Sequence, residues 1–139
     1  DNTGVFLGGY TRGVVIADNE FAWLGESAVV SLGDTTGGPV AGWGADGTDG
    51  NQPRGTKLWH NYGRELGLIN KQSALYFQAV TDGSDVRGNV AFNGARSAAN
   101  FNDCFGSGSN FSENVLFNFV SATTFVLFSK LPRDFVAYT

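Results

Sequence analysis

The sequence predicts an all-β chain folded as a right-handed parallel β-helix, a solenoid of about five short coils. Three observations predict it. Runs of four to six residues rich in Val, Phe, Leu and Thr are bounded by Gly and Asn, as strands are. One Asn recurs after every other such run. No segment holds a helical period long enough to compete.

Gly4-Val5-Phe6-Leu7-Gly8-Gly9 reads as the second strand of an incomplete first coil. Val14-Val15-Ile16-Ala17-Asp18-Asn19 then gives the first full motif, and Thr56-Lys57-Leu58-Trp59-His60-Asn61 the second. Asn89-Val90-Ala91-Phe92-Asn93 and Asn114-Val115-Leu116-Phe117-Asn118 are the third and fourth. A second apolar run follows each: Ser27–Ser31, Ser73–Gln78, Ala98–Asn102 and Thr123–Leu127. Asn suits such corners because it tolerates the left-handed region and bonds nearby backbone. Stacked at strand spacing, identical Asn side chains fall above one another, so Asn19, Asn61, Asn93 and Asn118 are expected to form an amide ladder. Ile16, Leu58, Val90 or Phe92, and Val115 or Phe117 are the expected core. An antiparallel sandwich has no reason to repeat one Asn after every other strand and ranks second.

The chain of 139 residues is one domain, with residues 34–55 as a Gly/Asp-rich loop insertion and 129–139 as a C-terminal tail. A hydrophobic share of 42% against 16% charged is globular. A net charge of −4 offers no basic stripe for nucleic acid. No apolar run is long enough for a helical membrane span. The absence of Met at the start suggests a processed segment. Cys104 is alone, which excludes an intrachain disulfide or a Cys-based zinc site and reads as a small buried thiol.

From Gly50 to Asn118 the chain resembles a group of right-handed β-helix proteins of marine microbes and algae, within the pectate-lyase-like superfamily. The resemblance rests on Asn51-Gln52-Pro53-Arg54, Glu65-Leu66-Gly67, Lys71-Gln72-Ser73, Tyr76-Phe77-Gln78-Ala79 and Phe92-Asn93-Gly94-Ala95-Arg96 running to Asn100-Phe101-Asn102-Asp103. It implies an association with carbohydrate, since the wider class includes polysaccharide lyases, hydrolases and epimerases as well as adhesins. Similar proteins continue their last coil into Asp-His-Gly-Pro and Trp-Asp-Arg segments. Here Asn118 is followed by Phe119-Val120-Ser121-Ala122, so an acidic and imidazole cluster of that kind is missing.

Cleavage chemistry would need paired carboxylates for hydrolysis, or a base with a cation for elimination. Glu65, Lys71, Arg96 and Asp103 are the residues an enzyme would use. His60, the single histidine, reads as a turn residue. Alternation in Leu75–Gln78 and Asn100–Asn102 predicts an outward strip of Tyr76, Gln78, Asn100 and Asn102 suited to sugar hydroxyls. Asp46-Gly47-Thr48-Asp49-Gly50-Asn51 is dense in oxygen ligands, but its order is not that of an EF-hand. No cofactor is expected, with Ca²⁺ the one candidate ion. Asn110-Phe111-Ser112 is a glycosylation sequon.

The expected function is therefore a non-catalytic extracellular or cell-surface module. Its role would be structural, self-assembling or adhesive, with partners that are a polysaccharide, a second copy end to end, or the rest of a larger protein. A polysaccharide-active enzyme is the alternative.

Overall fold

The computed structural model describes residues 2–33, 52–102 and 106–125, with the side chains of Ser107 and 121–125 left aside. The expectations for most of the 34–55 loop, for Asp103 and Cys104, and for the 129–139 tail lie outside the described residues.

Thirteen strands and no helix make up the described chain: β1 (Val5–Gly8), β2 (Val15–Ala17), β3 (Glu20–Leu24), β4 (Val29–Leu32), β5 (Lys57–Trp59), β6 (Tyr62–Leu66), β7 (Tyr76–Ala79), β8 (Thr81–Asp82), β9 (Asp85–Arg87), β10 (Val90–Phe101), β11 (Gly106–Ser107), β12 (Asn110–Ser112) and β13 (Val115–Phe125). Every pair among them is parallel. The largest sheet runs β1-β4-β7-β10-β6-β3, with β13 on β10. It curls because β10 is long enough to pair β6 through Val90–Gly94 and β7 through Ala99–Phe101, with a register shift between Gly94 and Ser97. A second sheet runs β12-β9-β5-β2, and a third holds β11 and β8.

The registers arrange the side chains in columns. Ile16, Leu58, Val86 and Phe111 form one inward column. Phe21, Gly63, Ala91 and Leu116 form another. Each is flanked by outward residues, because side chains alternate along a strand. The packing is complementary: Gly63 leaves room for Leu75, whose Cδ1 lies 2.7 Å from where a Cβ on Gly63 would sit. Val29, Leu58, Leu75, Tyr76, Val86 and Ala91 are fully buried.

Two expected core assignments change. Val90 and Phe92 are only half-buried, and Val115 and Phe117 are exposed. Their neighbours Ala91 and Leu116 point inward instead. The inward column through Leu58 and Val86 is thus a different one from that carrying Ala91 and Leu116.

Corners are set by left-handed backbone, which returns in register. Gly13, Gly55, Gly83 and Gly108 have φ of 58–66°. Asp18, His60, Gly88 and Glu113 form a second such set, and Trp23, Glu65, Asn93 and Asn118 a third. Only glycine takes this conformation without cost, so the third set, which has no glycine, stores strain.

Candidate functional site

An amide ladder ties the strands together at the second corner. Asn19 donates its backbone N–H and its Nδ2 to Asn61 Oδ1, both at 3.1 Å. Asn61 makes the same two bonds to Asn89 Oδ1 at 2.9 and 3.1 Å. Asn89 makes them to Asn114 Oδ1 at 2.9 and 2.8 Å. Each Nδ2 also reaches backbone carbonyls: Asn61 to Ile16 and Trp59, Asn89 to Leu58 and Arg87, Asn114 to Val86. Asn61 and Asn89 are buried, so these bonds are shielded from water.

The expected ladder of Asn19, Asn61, Asn93 and Asn118 is therefore divided. Asn19 and Asn61 belong to the ladder just described. Asn93 and Asn118 sit four residues beyond Asn89 and Asn114, at the third corner. There Asn118 Nδ2 donates to Asn93 Oδ1, and Asn93 Nδ2 donates to Glu65 Oε1. A signal for the correct column is present in the sequence. Gly13, Gly55, Gly83 and Gly108 each stand six residues before Asn19, Asn61, Asn89 and Asn114. An apolar-then-Asn motif cannot separate two asparagines four residues apart, whereas the preceding glycine can.

The outward strip is also corrected. Tyr76, Gln78 and Asn100 are buried at 0%, 3% and 2% exposure, and Asn102 is half-buried. Simple alternation from Leu75 fails because the chain turns a corner there. Leu75 and Tyr76 both face inward, as do Ala28 with Val29 and Ala98 with Ala99. Parity then restarts from Tyr76, placing Gln78 inside and Phe77 half-exposed. Tyr76 donates its hydroxyl to Ser84 Oγ at 2.8 Å, and Ser109 donates to Gln78 Oε1 at 3.1 Å. Burial pushes the Tyr76 phenol up, while the hydroxyls of Ser84, Ser31 and Thr81 draw it the other way.

The true surface is richer in rings. Outside β6, β10 and β13, Tyr62 meets Phe92 edge-on at 5.6 Å and Phe92 stacks on Phe117 at 4.8 Å. Arg64 bonds Glu20 at 2.8 Å and lies 5.3 Å from the exposed Trp23 ring. On the β2-β5-β9-β12 sheet, Trp59 donates to Asp85 Oδ2, with the Lys57 and Arg87 cations over its ring at 5.0 and 4.5 Å. Asn110, the sequon residue, is exposed there and donates to Asp85 Oδ1 and Ser112 Oγ. His60 is exposed at its corner with its ring against Gly88.

A groove of about 390 Å³ opens beside the third corner. Leu66, Leu68, Phe119 and Val120 supply its apolar lining, and Lys71, Asn93 and Asn118 its polar groups. The Lys71 ammonium donates to the Gly67 and Leu68 carbonyls, each at 2.9 Å. The bordering loop is fastened by Glu26, which accepts from Asn70 Nδ2 at 3.0 Å and the Thr3 hydroxyl at 2.8 Å. Those two bonds hold the Glu26 carboxyl below its ordinary value, Asn70 contributing most. Of the candidate catalytic residues, Lys71 lines the groove, and Glu65 is outside its lining but accepts from the lining residue Asn93. Arg96 is apart from the groove's lining, in the irregular stretch between Gly94 and Ser97. Among the described residues no cluster of metal-ligating side chains occurs, and there is no helix long and apolar enough to cross a membrane.

Compared with family models, with curated proteins and with solved structures, the chain finds no match in any of the three.

Proposed function

We propose that the parallel columns are successive turns of a pectate-lyase-like β-helix. In this reading the chain is a non-catalytic extracellular or cell-surface module that holds a polysaccharide along the groove at its third corner. The observation that carries it is the meeting of Lys71, Asn93 and Asn118 in one open groove over the Phe119 and Leu66 side chains. Carboxamides both donate to and accept from hydroxyls, the ammonium suits a carboxylate, and the apolar floor suits a sugar's C–H face. An acidic glycan matches all three. The amide column runs along the stacking direction, so a chain of repeating sugars can engage Asn93 and Asn118 in succession.

One observation favours the enzymatic alternative, a polysaccharide lyase, hydrolase or epimerase. Lys71 lines the groove and Glu65 is bonded to its lining residue Asn93, and a base with a cation is the pair that elimination requires. Against hydrolysis, no carboxylate is among the described residues that line the groove, and the nearby Glu65 is engaged by Asn93.

Titration of polyuronates and neutral glycans by calorimetry, with product assays alongside, separates the readings. Binding of a polyuronate that drops about tenfold in Lys71→Ala, at the scale of a charged hydrogen bond, supports the module. Turnover abolished by Glu65→Gln would replace it with the enzyme.

A further inference from the structure

The ladder has a direction. At each of its three steps the earlier Asn gives two donors, backbone N–H and Nδ2, to the Oδ1 of the later one. Its two ends are therefore different and complementary. Among the described residues, Asn19 Oδ1 accepts no hydrogen bond, and the Asn114 backbone N–H donates none.

The strand edges at the two ends match in the same sense. Among the described residues, the outer edges of β2 and β3 are unpaired at one end, as are those of β12 and β13 at the other. Within the chain, Tyr62 N–H donates to Asn19 O, Val90 N–H to Asn61 O and Val115 N–H to Asn89 O. Continuing that series, Asn114 O awaits the N–H that follows a ladder Asn, which at the other end of the molecule belongs to Glu20. Val115, Phe117 and Val120 leave this end of the large sheet apolar, at 51%, 44% and 84% exposure.

We propose that a second copy of this chain docks head to tail on β12 and β13, its Asn19 extending the ladder beyond Asn114. This rests on the solenoid reading above. The contact is heterologous and non-closing, so it propagates into a filament. The same register brings Glu113 of one copy beside Asp18 of the next, because both occupy the second-corner column with His60 and Gly88 between them inside each chain. No two carboxylates are neighbours in that column within one molecule. The junction is thus restrained by a like-charge contact that salt screens and that loss of one carboxylate relieves.

Sedimentation velocity over rising protein and salt concentration tests the assembly. Head-to-tail growth should increase with salt, increase at least severalfold in Glu113→Gln, and be lost in Asn19→Ala, whose terminal position leaves the other ladder bonds intact. Register is tested by mixing Asp18→Cys with Glu113→Cys, each in a Cys104→Ser background, under oxidation. Adjacent column positions lie within disulfide reach, and a mixed dimer should form in high yield. Hydrogen exchange of the Asn61 and Asn89 backbone amides in the dilute monomer reports on the ladder itself. Protected amides with no mixed dimer would overturn the docking alone. Unprotected amides would remove both the solenoid and the docking.

Discussion

Asn89 and Asn93 are the same residue type on either side of one three-residue run, yet they differ sharply in what they hold. Asn89 is fully buried and its side chain links Asn61, Leu58, Arg87 and Asn114. Truncation to Ala strands the buried Asn61 N–H, an orphan that costs about 1–3 kcal/mol, and removes the Nδ2 bonds to the Leu58, Arg87 and Asn114 oxygens. Asn89→Ala should therefore lose about 3–5 kcal/mol in urea unfolding, while Asn93→Ala should lose under about 1 kcal/mol. Equal losses would mean that the two columns carry equal weight. The sequence discloses that asparagines turn the corners. It does not disclose which asparagine, because the choice depends on burial and on a Gly six residues earlier.

Strands here are short, so an element's facing is decided by its corner more than by its own pattern. β7 illustrates this: Leu75 and Tyr76 both enter the interior, and a period-two reading begun one residue early inverts the whole strand. Tyr76 and Gln78 therefore lie in the core and not on the surface that alternation from Leu75 predicts. Strand positions and parallel pairing were legible in the apolar runs and their Gly/Asn boundaries. Facing was not, because a corner that admits two consecutive inward residues leaves no trace in hydrophobicity. Packing between elements is equally specific. Gly63 on β6 is the small partner of Leu75, so Gly63→Val should overpack the interior and cost about 1–3 kcal/mol. A compensating Leu75→Ala in the same chain should recover part of that loss, which a double-mutant cycle of unfolding free energies would measure.

At the scale of the molecule, the interior contains, apart from the asparagine ladder, a polar group of Ser31, Tyr76, Gln78, Thr81 and Ser84. It gives stability a dependence on alkaline pH. Below the ordinary tyrosine value of about 10, Tyr76 is protonated in both the folded and unfolded chain. Above it the unfolded chain ionises first, because the folded phenol is pushed up, so stability falls as pH rises through that range. Tyr76→Phe should lose about 1 kcal/mol at neutral pH with its bond to Ser84, and should show a shallower alkaline decline. Thermal unfolding between neutral and strongly alkaline pH checks both. The candidate groove was legible only in pieces. Glu65 and Lys71 are legible as charges, but the link from Glu65 to the groove residue Asn93 depends on a left-handed corner that nothing about a glutamate announces.

The constant interval from Gly to Asn has a counterpart in what varies. Successive ladder asparagines are 42, 28 and 25 residues apart, yet the glycine keeps its place before each of them. Each interval between ladder asparagines is thus half metronome and half slack. The measured half keeps time for the neighbours above and below. The slack half can gain or lose residues without disturbing the beat, and it is there that one such protein can come to differ from another in what it touches.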